Sequence, residues 1–246
     1  LRQRSPKRGF RIVTNNFSTG GAQTSAARLL IALRAAGHDA RAVVLQEREA
    51  QPSPGLERLR ARHVPVLILP PPDVHPADVA LQVLLDDLSQ APPELVLFWN
   101  VIPEYKMRIA DALPDIPIWD VSPGEMLFTS LDRWFAARRP GWPVRNAREY
   151  GSLLAGVVVK QSAEAELARQ TFGTDVRWIP NGVPAPVSFS CPPARPAGDR
   201  VLLGTATRIH PHKRLEDLIA TVRILVDTGH AVELKVAGDA DGPDNQ

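Results

Sequence analysis

Residues 10–45 read FRIVTNNFSTGGAQTSAARLLIALRAAGHDARAVVL, and three patterns follow one another within them. FRIVT (10–14) is a short run rich in β-branched residues, and ARAVVL (40–45) is another. Between them Ala22, Ala26, Leu29, Leu30 and Leu33 recur at three- and four-residue spacing. That spacing lays an apolar stripe along one face of a helix over 21–36, and Gly37 supplies its stop. A strand, a helix and a second strand in this order predict a βαβ unit with parallel strands and a right-handed crossover.

The alternation continues downstream. Strands are expected at 64–69 (VPVLIL), 94–99 (ELVLFW), 116–119 (IPIW), 155–159 (AGVVV) and 175–179 (DVRWI), with helices near 76–90, 103–113, 124–139 and 162–172. VPVLIL and ELVLFW lack polar alternation, the pattern of strands covered on both faces. The prediction is a doubly wound α/β sheet. After Trp178 the stretch IPNGVPAPVSFSCPPARPAGD (179–199) is rich in Pro and Gly and holds no period, so it reads as a linker. The alternation then restarts with a strand at 200–206, a helix at 214–228 and a strand at 231–236. Two strands and one helix cannot close a core by themselves. The expected organisation is therefore an N-terminal Rossmann-like domain over 1–183, a linker over 184–199 and the truncated start of a second Rossmann-like domain over 200–246. The opening LRQRSPKR, without a methionine, is expected to lie outside the fold as a basic tail.

Composition narrows the function. Of 246 residues 44% are hydrophobic and 23% charged, enough apolar material for packed cores. The formal charge of +2, from 29 basic and 27 acidic residues, argues against a nucleic-acid partner and makes any anion site local. A single cysteine, Cys191, points to a reducing cytoplasmic setting and away from a disulfide framework. No Cys/His cluster has metal-ligand spacing, and no apolar stretch approaches the ~20 residues that span a bilayer.

Ligands of open α/β sheets bind beyond the carboxyl ends of the strands. Those ends carry Thr14, Asn15 and Asn16, then Asn100, then Asp120 and Ser122, and in the second unit Arg208. NNFSTGGAQ (15–23) places Gly20 and Gly21 before the first helix, where free backbone N–H groups favour an anion. A plain glycine turn is the alternative. The spacing is not G-x-G-x-x-G and lacks a Walker lysine, so neither NAD nor ATP hydrolysis is supported. In DVSPGEM (120–126), Ser122, Pro123 and Glu125 fit a capping box, whereas Asp120 is expected to face the crevice and bind a substrate hydroxyl. In GTATRIHPHKRLEDLI (204–219), Arg208 directly follows a strand and Lys213 stands at the start of the next helix. Together they could clamp a diphosphate; a solvated basic loop is the competing reading. His210 and His212 read as surface residues, since two ligands do not complete a metal site.

NFSTGGAQ (16–23), VVVKQSAEAELARQTFG (157–173), WIPNGV (178–183) and ATRIHPHKRLEDLIAT (206–221), in this order, resemble the retaining glycosyltransferases of family 4, which have the GT-B fold. The likeness runs from about residue 10 to the end, and its most specific part is I-P-N-G-V followed by R-x4-K. It implies two Rossmann-like domains, the acceptor mainly on the first and a nucleotide-sugar donor, UDP or GDP linked, mainly on the second. It further implies that Arg208 and Lys213 hold the donor diphosphate in place of a metal and that Gly20 and Gly21 approach it from the opposite wall. Retention without a protein nucleophile follows from the same resemblance, the departing phosphate oxygen helping to deprotonate the acceptor hydroxyl.

The sequence departs from that pattern in places. Thr207 and Arg214 stand where the family has glycines before the arginine and after the lysine. An N-domain histidine near the transferred sugar has no match, and Asp120 or Asn100 is the expected occupant of that neighbourhood; Asn16 joins them as a sugar-binding candidate. The E-x7-E motif is absent, so 1–246 alone is expected to be inactive. The acceptor is read as a glycan or a lipid-linked sugar. Residues 126–150 carry a local charge of +3 among Phe128, Trp134, Phe135 and Trp142. One reading makes this a core-packing helix through Leu127, Leu131, Trp134 and Phe135; the rival lays its arginines and an exposed Trp142 on the inner face of the membrane. Two other functions compete with transfer: a nucleotide-sugar epimerase of the same fold, and a non-catalytic nucleotide-sugar-binding module.

Overall fold

The computed structural model describes residues 9–18, 20–47, 52–71, 73–121, 125–137, 142–182, 200–207 and 209–238, with the backbone alone for 125–130 and 212. The chain divides into two compact units, Leu1–Pro184 and Ala185–Gln246. The expected linker over 184–199 lies outside the described residues.

Unit 1 carries seven strands, β1 (Gly9–Thr14), β2 (Asp39–Val44), β3 (Val66–Ile68), β4 (Leu95–Trp99), β5 (Ile118–Val121), β6 (Gly156–Val159) and β7 (Val176–Trp178). All pair in parallel in the order β3-β2-β1-β4-β5-β6-β7. The order reverses between β1 and β4, which is the topological switch point of a doubly wound sheet. Among the described residues seven helices connect the strands: α1 (Gly21–Ala35), α2 (Pro54–Ala61), α3 (Ala77–Gln90), α4 (Pro103–Ala112), α5 (Glu125–Ala136), α6 (Ala147–Ser152) and α7 (Glu164–Phe172).

The two faces of this sheet are covered by different helices. One core joins Val13, Val43, Phe98, Ile118 and Val157 to side chains of α3, α4, α6 and α7. The other joins Ile12, Ala42, Trp99, Val121 and Val158 to α1 and α2. Consecutive residues such as Ile12 and Val13 enter opposite layers, as period-2 strand geometry requires. In α1 the buried side chains are Ala26, Ala27 and Leu30, with Ala22, Leu29 and Leu33 half-buried beside them. Gly37, at φ +89, ends the helix, and the His38 N–H reaches back to the Leu33 carbonyl at 3.0 Å.

Helices α2 and α6 are absent from the sequence expectation. Ser53-Pro54-Gly55 has the composition of a turn, yet the Ser53 hydroxyl accepts from Leu56 N–H and Pro54 occupies the first turn. A Cβ on Gly55 would collide with the Phe17 carbonyl, so glycine lets α2 seat against the loop after β1. Asn146 caps α6 by accepting from Glu149 N–H at 2.8 Å. A Cβ on Gly151 would meet the Phe172 backbone, so α6 and α7 pack at glycine distance.

Unit 2 holds two parallel strands, β8 (Val201–Ala206) and β9 (Val232–Ala237), joined by α8 (Leu215–Asp227). No residue of α8 is buried.

Candidate functional site

The carboxyl ends of β1 and β4 are stitched together at the switch point. Asn15 N–H donates to the Asn100 carbonyl at 3.3 Å, and the Asn15 side-chain oxygen accepts from Ile102 N–H at 2.9 Å. Asn100 takes φ +57, a left-handed conformation that asparagine tolerates better than most residues. Among the described residues its side-chain amide has no hydrogen-bond partner. Asn16 folds over its own loop, accepting from Ser18 N–H at 3.2 Å.

That loop is tied down from beneath by a carboxylate the sequence reading overlooked. Glu47, 4% exposed just past β2, accepts from Phe17 N–H at 2.8 Å, from Ser53 N–H at 3.2 Å and from the Ser53 hydroxyl. Its only sequence signal was position, three residues past a strand end. Gly20 is the N-cap of α1 and has no side chain to satisfy the first-turn donors. A Cβ at Gly21 would meet nothing within 4 Å, so packing inside the chain does not demand glycine there. Between this loop and α2 lies a pocket of about 110 Å³ lined by Phe17, Gly20, Gln23, Ala27, Gly55 and Arg58.

Asp120 is not where the sequence reading put it. Strand β5 continues through Val121, and Asp120 points into the layer under α4 and α6, 1% exposed. Both carboxylate oxygens accept from Lys106 Nζ at 2.7 Å, and Oδ2 also accepts from the Tyr150 hydroxyl at 3.0 Å. Lys106 is itself 0% exposed. Two buried charges at this distance neutralise each other, and the pair is a positioning element under the rim rather than a group facing ligand. Burial raises the Tyr150 phenol well above its ordinary range, and the Asp120 charge adds to the effect. Nothing in PEYKMRIADA (103–112) announces a buried lysine; it sits among Tyr105, Met107 and Ile109, which bury for ordinary reasons.

One further cation stands on the rim. Lys160, directly after β6, is half-buried, and its Nζ lies 4.4 Å from the centroid of the Trp99 ring. Desolvation by burial holds its ammonium below the ordinary lysine range.

The basic aromatic segment resolves in favour of packing. Leu131 is 0% exposed, Trp134 stacks on Trp142 at 5.1 Å, and Phe135 meets Trp142 edge-on at 6.2 Å. Trp142 packs against the core, so the exposed membrane-facing ring expected above is not found. Arg138 and Arg139 lie outside the described residues, as do Ser122 and Pro123 of the expected capping box. No described helix is long and apolar enough to cross a membrane.

In unit 2, Arg208 lies outside the described residues. Lys213 ends a 3-10 turn, Pro211–Lys213, and is exposed; α8 begins two residues later than Lys213. Arg214, the N-cap, adopts φ +49 and ψ +44 and pairs with Asp217. The glycine of the family pattern thus has a visible conformational reason at this position.

No protein-family model matches the chain, and no curated protein does. Solved structures do. The chain superposes on Anabaena Alr3699/HepE, solved in complex with UDP and glucose, with a TM-score of 0.63 at 15% identity, covering 95% of this chain and 61% of that one. On the lipopolysaccharide outer core galactosyltransferase WaaB, in its apo form, the TM-score is 0.60 at 13% identity, covering 96% and 61%. On the glycotransferase of kitacinnamycin it is 0.51 at 15% identity, covering 94% and 66%. What is shared at such identities is architecture: the chain has the GT-B fold. It spans 61% of the length of the first two of these proteins.

Proposed function

We propose that the chain is part of a glycosyltransferase moving a sugar from a UDP- or GDP-linked donor to a hydroxyl of a glycan or lipid-linked acceptor. One observation supports this above the others: over 95% and 96% of its length the chain follows a protein solved with UDP and glucose and a galactosyltransferase.

The chemistry asks little covalent work of the protein. The bond between the anomeric carbon and the β-phosphate oxygen breaks while the acceptor oxygen bonds that carbon, and the acceptor proton passes to the departing phosphate. Reaction on one face retains configuration, the outcome the family 4 resemblance implies. Negative charge grows on the leaving phosphate, and Arg208 and Lys213 are the cations that offset it without a metal. Gly20 and Gly21 give backbone access at the start of α1, while Asn16 and Asn100 offer amides to sugar hydroxyls. Asp120 contributes by holding Lys106 and Tyr150 beneath the rim. The reaction belongs in the cytoplasm, and a lipid-linked acceptor would bring the protein to the inner face of the membrane.

Calorimetry with UDP-glucose, UDP-galactose and GDP-mannose on the complete protein of which this chain is part tests the donor half. Micromolar binding of one of them, weakened roughly tenfold or more in Arg208→Ala, is the expected result, because a lost charged hydrogen bond costs about 1.5–3 kcal/mol. Failure of all three to bind the folded protein would remove the proposal. Product analysis with a labelled donor separates transfer from epimerisation.

A further inference from the structure

Lysines on α/β rims ordinarily extend into water. Lys160 does not. Strands β4 and β6 are separated by β5, so about 10 Å lies between them. With Nζ 4.4 Å from the Trp99 ring centroid, the Lys160 and Trp99 side chains together bridge the end of β5. The same core layer holds Val121 and Val158, 3% and 7% exposed, on β5 and β6. Among the described residues the helix side chains in this layer come from α1 and α2, and the ammonium lies in a partly apolar setting beside Trp99.

The charge there is not matched. Among the described residues no carboxylate pairs with Lys160, and desolvation alone accounts for its lowered pKa, with no acidic group offsetting it. Attraction to the Trp99 ring compensates only part of a desolvated cation's lost hydration. Asn100, next in sequence to Trp99, likewise offers an amide with no partner among the described residues. A cation without a carboxylate partner among the described residues therefore stands over the Trp99 ring, one residue before the free amide of Asn100, at the carboxyl edge where ligands of such sheets bind.

We propose that Lys160 is an oxyanion-binding residue of the unit 1 rim and recognises a phosphate or carboxylate carried by the acceptor. This rests on reading that rim as the acceptor side of a transferase. It makes the acceptor an anionic molecule, with Trp99 as the floor of the subsite and Lys160 as its charge.

Competitive acylation tests this without turnover. The intact chain is trace-labelled with an amine-reactive acetyl ester at constant ionic strength, and labelling of each lysine is read by peptide mass spectrometry. Glucose 6-phosphate, glucuronate and glucose serve as competitors, and Lys235 on β9 as the reference. Labelling of Lys160 relative to Lys235 is expected to fall severalfold with glucose 6-phosphate or glucuronate and to stay constant with glucose; which anion protects assigns phosphate or carboxylate. Equal protection by glucose, or no protection by either anion, overturns the proposal. A second measurement uses Trp fluorescence: the change induced by the protecting anion should disappear in Lys160→Gln and return in Lys160→Arg, and its persistence in Lys160→Gln would also overturn it. Donor calorimetry on the unsubstituted protein keeps the two claims apart. Protection of Lys160 without donor binding would leave an anion site and remove the transferase.

Discussion

Helices α1 and α8 follow the same recipe, an apolar stripe between two parallel strands, yet they end in different surroundings. In α1, Ala26, Ala27 and Leu30 are at most 1% exposed. In α8 no residue is buried, and Ile219 and Ile224 are 58% and 62% exposed. The strands differ in the same way: β1 is buried from Arg11 to Thr14, whereas every residue of β8 is exposed or half-buried. Periodicity fixes where a helix forms and which side is apolar, but burial needs a second layer to pack against. Unit 1 has layers on both faces of its sheet; the described residues of unit 2 give one helix on one face.

Substitutions can break this contrast, beginning with the deepest sites. Asp120→Ala leaves Lys106 charged and buried without a partner, and should destabilise unit 1 by about 3–5 kcal/mol. Denaturant unfolding followed by amide exchange in β1 and β4 reads the loss. The double variant Asp120→Leu/Lys106→Met should recover most of it, and failure to recover would show that the pair does more than neutralise itself. Phe172→Ala, 1% exposed at the α6–α7 contact, belongs in the same range of about 3–5 kcal/mol.

The next effect is read in pH. The Tyr150 phenol is raised in the folded state, so the stability it contributes is complete below its unfolded value of about 10 and is lost as pH climbs toward the folded one. Tyr150→Phe should flatten that alkaline decline while costing about 1 kcal/mol at neutral pH for the donor removed from Asp120. An unchanged alkaline limb would refute the assignment.

Unit 2 should respond weakly. Arg214→Gly relieves a left-handed backbone and should gain up to about 1 kcal/mol, visible as slower amide exchange in α8. Ile224→Ala should shift stability by no more than about 0.5 kcal/mol. A loss of several kcal/mol there would mean that this side chain is covered in solution, and the contrast between the units would weaken.

These differences also mark what could be read from residues alone. The strands and most helices were legible because β-branched runs and helical spacing are local signals, and the stop at Gly37 was legible because a positive φ favours glycine. Helix α2 was hidden because Ser53-Pro54-Gly55 has the composition of a turn, and α6 because AREYGS carries no stripe. The rim positions of Asn15, Asn16 and Asn100 followed from strand ends. The direction of Asp120 did not, because β5 runs two residues past Trp119, which makes Asp120 a strand residue whose alternation turns it toward α4 and α6. Lys106 and Lys160 were illegible for a related reason: a lysine's burial is set by neighbours distant in sequence, Asp120 for one and Trp99 for the other.

The switch point has a consequence for how the chain is made. Strand β1 sits in the middle of the sheet, yet Phe10 is matched on its far side by Leu95. A ribosome adding 5–20 residues per second leaves that backbone edge without its mate for on the order of ten seconds. The nascent protein therefore carries an open central strand until β4 has emerged, which makes late closure of the sheet intrinsic to this topology.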